Sequence, residues 1–176
     1  MKNPILLPVL ALALCFSTVA TAQKFSGLDK SPLDIASYPS GHMDAVKSVR
    51  VLYSRPQLKG RSLADLAPAG EVWRTGANEA TEITFYKDAI VGGKAIAAGT
   101  YSLFTIPGED QWTVILNGNL NQWGAYSYGS EADVARIPAK VSKGDEELEA
   151  FSMAFNDQGD LIMGWGSIRV TLPIDS

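Results

Sequence analysis

From Val46 onward the apolar residues recur at every second position rather than at every third or fourth, and turn-forming residues interrupt the pattern about every ten residues. A period of two sends successive side chains to opposite faces of an extended chain, so this stretch reads as a series of β-strands with one face toward a core. Val49, Val51 and Tyr53 share one face of a first strand, with Arg50 and Ser54 opposite. Thr81, Ile83 and Phe85 do the same in a later one, with Glu82, Thr84 and Tyr86 on the other side. Gly92-Gly93, between Ile90-Val91 and Lys94-Ala95-Ile96, suits a two-residue hairpin turn that needs positive φ at its centre. Residues 100–106 and 112–116 form a second hairpin around Pro107-Gly108-Glu109-Asp110, and further strands are expected at 134–141, 148–155, 161–163 and 168–174.

Many short strands with Gly and Pro punctuation imply an all-β fold. The expectation is an antiparallel β-sandwich, or its partly closed barrel-like variant, because a lone sheet would leave its apolar face wet. Residues 62–66 read as one short helical turn and residues 23–45 as an irregular segment before a single domain at 46–176. At 176 residues the chain is long enough to bury roughly 70% of its unfolded surface, so packing alone can hold it. The net charge of −4 and a charged fraction of 19% lack the basic footprint that nucleic acid or a polybasic membrane anchor requires.

Lys2 precedes an apolar run from Ile5 to Phe16, and Ala20-Thr21-Ala22 supplies an A-x-A cleavage signal. This is the pattern of a secretory signal peptide at residues 1–22, and it predicts an exported protein, periplasmic or secreted, that begins at Gln23. Cys15 makes a poor lipid-modified cysteine, since Leu14 stands where a small residue is needed. The mature chain then carries no cysteine, and no later stretch approaches the ~18 apolar residues of a transmembrane helix.

Two clusters carry candidate chemistry. Arg55, Lys59, Arg61 and Arg74 lie close in sequence, with Asn78 and Glu79 just beyond. Unbroken strand parity puts Arg55 on the face of Val49, Val51 and Tyr53, and Glu79 on the face of Thr81, Ile83 and Phe85. An ionised group facing a core requires a partner, so Glu79 is expected to meet Arg55, Arg61 or Arg74. Either this is an internal salt-bridge network of a structural or interaction module, or the surplus guanidinium groups bind a small anionic ligand such as a carboxylate, phosphate or sugar derivative. In the second case Gly76-Ala77-Asn78 could add backbone donors as an anion nest. The other cluster is Trp123, Tyr126 and Tyr128 in a polar, Gly-containing loop, readable as an aromatic platform for a flat ligand or as a lid folded onto the sheet.

Catalytic signatures are sparse. His42 is the sole histidine, no G-x-S-x-G elbow occurs, and neither a zinc pattern nor any cofactor motif is present. Asn156-Asp157-Gln158-Gly159-Asp160 lacks the register of a calcium loop and serves as a strand turn. An enzyme with Glu79 as general base, and Arg74 or Lys59 stabilising an oxyanion, is a third reading.

The blocks Tyr53-Ser54-Arg55-Pro56, Lys59-Gly60-Arg61, Val72-Trp73-Arg74-Thr75-Gly76-Ala77-Asn78-Glu79-Ala80-Thr81 and Ala98-Gly99-Thr100-Tyr101-Ser102-Leu103 are similar to those of a bacterial family, domain of unknown function 2911. The likeness continues through residues 112–117, 122–128 and the closing strand near 165–174. The resemblance implies an exported β-rich domain without an established activity or cofactor. Gly41-His42-Met43-Asp44-Ala45 departs from the family pattern, which makes His42 a poor candidate for a shared role.

Overall fold

The period-two segments assemble into one antiparallel sheet whose strands follow the chain almost in order. The computed structural model describes residues 23–176, so the expected leader and Cys15 lie outside the described residues. Strands β1 (Leu33–Tyr38), β2 (Val49–Ser54), β3 (Thr81–Phe85), β6 (Gly99–Ile106), β7 (Gln111–Asn117), β8 (Asp133–Phe155) and β9 (Leu161–Leu172) make a curled sheet in the order β1-β2-β3-β6-β7-β8-β9. The hairpin β4 (Ala89–Val91) and β5 (Lys94–Ile96) leaves the sheet between β3 and β6 and joins β10 (Ile174–Asp175) in a small second sheet. The expected all-β antiparallel fold is therefore present, in its partly closed, barrel-like form.

Curling is completed by β8, which at 23 residues is long enough to serve two neighbours. Its first part pairs with β7 and its last part with β9. The remaining edge of that last part meets the chain leaving β2, where Leu58 N–H donates to Glu149 O at 2.9 Å and Phe151 N–H to Pro56 O at 2.9 Å. Inside the curl, Val49, Val51, Ile83, Phe85, Leu103 and Ile137 are buried in one core. Trp73 stacks on Trp165 at 5.6 Å between ring centroids and meets Trp112 and Phe151 edge-on. The small sheet adds Ala89, Val91, Ile96 and Ile174 to the same core. At its turn Gly92 has φ 53° and lies so close to Ile137 that a Cβ would overlap that side chain, so glycine is required twice over.

Three elements differ from expectation, the first being β9, which runs unbroken through Leu161–Leu172 where separate strands at 161–163 and 168–174 are expected. Residues 33–38 form a strand inside the segment expected to be irregular, because β1 carries its alternation inverted. Leu33 and Ile35 are 65% and 48% exposed, whereas the polar Asp34 and the phenol-bearing Tyr38 share the inward face with buried Ala36. Backbone pairing to β2, rather than an apolar stripe, holds it. The stretches 134–141 and 148–155 are one strand, interrupted by register shifts around the charged residues 143–147. Arg169 spans this irregularity by donating to Glu146 O at 2.6 Å, Gly166 O at 3.0 Å and Ile168 O at 2.9 Å. The short helix α1 (Leu63–Leu66) forms where expected, with Ser62 and Asp65 exchanging capping bonds.

Candidate ligand-binding cleft

Strand parity places Arg55 correctly and Glu79 incorrectly. Arg55 continues the inward face of β2, but its partner is Asp34 of β1, at 3.0 Å from Nη1 to Oδ2. Its Nε donates to Phe151 O at 3.1 Å and its Nη2 to Ser152 Oγ at 2.7 Å, so all three guanidinium nitrogens bind β1 and β8. Arg55 is therefore part of the seam that closes the curl.

Glu79 does not pair with Arg55, Arg61 or Arg74. Strand β3 begins at Thr81, and the residues just before it pair elsewhere, Glu79 bridging to Trp123 and Ala80 N–H donating to Gln122 O, so the zigzag of β3 is not continued back to Glu79. Residues 75–80 form a loop closed at its base by Thr81 N–H donating to Arg74 O at 3.1 Å. Trp73 exchanges two backbone bonds with Thr105 just before it, and the Thr81 hydroxyl donates to Thr75 O at 2.7 Å. Gly76 is buried, and a Cβ there would lie 3.1 Å from Ser54 O, so glycine serves close packing at this position. Glu79 emerges from this loop exposed on the outer side of the sheet.

The four cations do not form one pocket. Lys59 is exposed, with its backbone N–H donating to Glu149 Oε1 at 2.6 Å. Arg61 is exposed and ties its own loop through Leu58 O and Gln57 O. Arg74 is half-buried, with Nε donating to Gly76 O at 3.3 Å. Neither Lys59 nor Arg74 lines the space beside Glu79, although Arg74 Nη1 comes close to Gly124, the neighbour of Trp123.

The outer side instead carries a cleft of about 530 Å³. Its floor is the outer face of β2 and β3, where Leu52 lies opposite Glu82. One wall is residues 29–33 with Asp29, Ser31 and Leu33, and the other is Asn78, Glu79, Asn121 and Trp123. That second wall is held by backbone: Glu79 and Trp123 form an antiparallel bridge, with Ala80 N–H donating to Gln122 O at 2.8 Å and Gly124 N–H to Asn78 O at 2.9 Å. Trp123 is 61% exposed, whereas Trp73, Trp112 and Trp165 are buried. Glu82 Oε1 accepts from Asn121 N–H at 3.0 Å and Asp29 Oδ1 from Ser31 N–H at 2.7 Å. Among the described residues the Glu79 carboxylate makes no ion pair and no hydrogen bond.

The other two rings of the aromatic loop behave differently from Trp123. Tyr128 folds back edge-on to Phe104 at 5.1 Å, closing a small outer cluster with Ala80 and Ile115. Its hydroxyl donates to Asp133 Oδ2 at 2.7 Å and accepts from Arg136 Nη2 at 2.7 Å, while Arg136 Nε donates to the same carboxylate at 2.8 Å. Burial and then the Asp133 carboxylate push the Tyr128 phenol above its ordinary range, and the bond to Asp133 raises Arg136. Tyr126 is 84% exposed and lies against Gly124, outside the cleft. The platform expectation thus holds its geometry at Trp123, and the lid expectation describes Tyr128.

His42 lies exposed in the loop after β1. Among the described residues no three His, Cys, Asp or Glu side chains gather to hold a metal ion, and no helix is long and apolar enough to cross a membrane.

The fold and cleft define a β-rich domain with an open outer site, and the comparisons place it further. Residues 31–174 match the family described as protein of unknown function (DUF2911), and the chain belongs to that family. No curated protein and no solved structure matches it. Of the residues that line the cleft, Asn78, Glu79 and Trp123 stand out in the sequence, whereas Asp29, Ser31, Glu82 and Asn121 do not. Glu82 had a visible signal in its outward parity, while Asp29 lies in a stretch with no pattern to assign it.

Proposed function

We propose that the protein is an exported binding domain that holds a small polyhydroxylated ligand, a sugar or sugar derivative, in the cleft beneath Trp123. The supporting observation is an exposed indole fixed by backbone pairing on the wall of a cleft of about 530 Å³, within the usual range for small-ligand sites. A flat apolar face beside carboxylate and amide groups fits a sugar, whose C–H face stacks while its hydroxyls donate to carboxylates. A free carboxylate or phosphate ligand is disfavoured, because Asp29, Glu79 and Glu82 line the cleft and no Lys or Arg does.

Thermal-shift measurements with a panel of mono- and disaccharides test this. A binding sugar at 100-fold its Kd stabilises the protein by about 2.7 kcal/mol, and Trp123→Ala should abolish that shift while moving apo stability by about 0.5 kcal/mol or less. A panel without any stabilising member contradicts the proposal. The second reading, an interaction module of the cell envelope, draws on apolar exposure on the same outer face. Leu33, Ile35, Val46 and Tyr86 are all exposed there.

A further inference from the structure

Resting on the saccharide reading of this cleft, we infer that its ligand carries a positive charge: an amino sugar or other ammonium-bearing saccharide rather than a neutral or acidic one. Three features converge on this. The cleft is lined by three carboxylates, Asp29, Glu79 and Glu82, without a compensating cation. Two of them already accept backbone N–H bonds, from Ser31 and Asn121, which fixes their positions. The third, on Glu79, is exposed and has no hydrogen-bond partner among the described residues, and its backbone is bridged to Trp123.

An ammonium group is attracted both by the negative face of an indole and by nearby carboxylates, and the two attractions add when ring and acid share one wall. A neutral sugar engages the ring but leaves the charge surplus unanswered. An acidic sugar meets like charge. Of the nearby cations, Arg55 is bound to Asp34, Phe151 and Ser152 on the other side of the sheet, Arg74 reaches close to Gly124 but donates to Gly76 O, and neither Arg74 nor Lys30 lines the cleft.

Trp123 supplies a direct probe, because it is the exposed one of the four tryptophans. Relative to free N-acetyltryptophanamide, caesium quenching of its emission should be enhanced and iodide quenching suppressed, and Glu79→Gln should narrow that difference. Trp123→Phe should remove the accessible component. Iodide quenching enhanced over that reference more than caesium quenching overturns the inference.

Isothermal titration with glucosamine, glucose and glucuronate completes the test. Glucosamine should bind about ten-fold more tightly than glucose, and the ratio should shrink as salt rises from about 0.05 to 0.5 M. Glucose or glucuronate binding as tightly as glucosamine overturns the charge inference and leaves the saccharide site standing. Absence of binding by all three, together with a silent saccharide panel, removes both.

Discussion

The seam around Arg55 and the cleft around Glu79 lie on opposite faces of the same strands and satisfy their polar groups in opposite ways. At the seam every nitrogen of the guanidinium has a partner on β1 or β8. Tyr53 there accepts from Met153 N–H at 2.9 Å and donates to Met153 O at 3.3 Å. In the cleft the wall is rigid by backbone pairing while the Glu79 carboxylate and the Trp123 ring face outward. A group that closes a core must be satisfied within the protein, whereas a group that meets a ligand can be left to water until the ligand arrives. Charge at the first region therefore belongs to stability, and charge at the second is what the proposed binding role would use.

The comparison breaks most visibly if the inner side is hollowed out. Trp73→Ala removes a ring packed against Trp165, Trp112 and Phe151, and should cost roughly 3–5 kcal/mol in urea unfolding. A cost below about 1 kcal/mol would mean that the aromatic cluster does not organise the core.

Tyr53→Phe sharpens the account of the seam. It leaves Met153 N–H without its acceptor and should cost roughly 1–3 kcal/mol. Burial raises the Tyr53 phenol above its ordinary pKa of 10.0. The neutral phenol's contribution is therefore complete below about pH 10 and is lost as pH climbs through the higher folded value. Tyr128 is shifted in the same direction, so two tyrosines contribute to the alkaline loss. Urea midpoints followed through that range should show a shallower decline in Tyr53→Phe than in the parent; equal slopes would place the titration elsewhere.

Much of this division was legible in the sequence, but unevenly. Strand parity identified the inward faces of β2 and β3, and it carried Arg55 to the inner side. It failed at Glu79 because residues 79 and 80 leave the β3 ladder to pair with the loop at 122–123, a long-range pairing that the local alternation does not announce. It missed β1 because an edge strand held by backbone bonds, with Leu33 and Ile35 outward, inverts the expected pattern. The split of the aromatic loop was also hidden. Whether a ring folds back depends on partners outside the loop, here Phe104 on another strand and Asp133 and Arg136 on the strand that follows, for Tyr128.

The smallest expected effect is the most decisive. Equilibrium unfolding of Glu79→Gln beside the parent protein measures directly whether this acid is part of the fold or stands open on the outer face. The account predicts a change within about 0.5 kcal/mol, as for an exposed substitution without partners. A loss of about 3–5 kcal/mol, the cost of breaking a buried ion pair, would return Glu79 to the interior and contradict the cleft as a site.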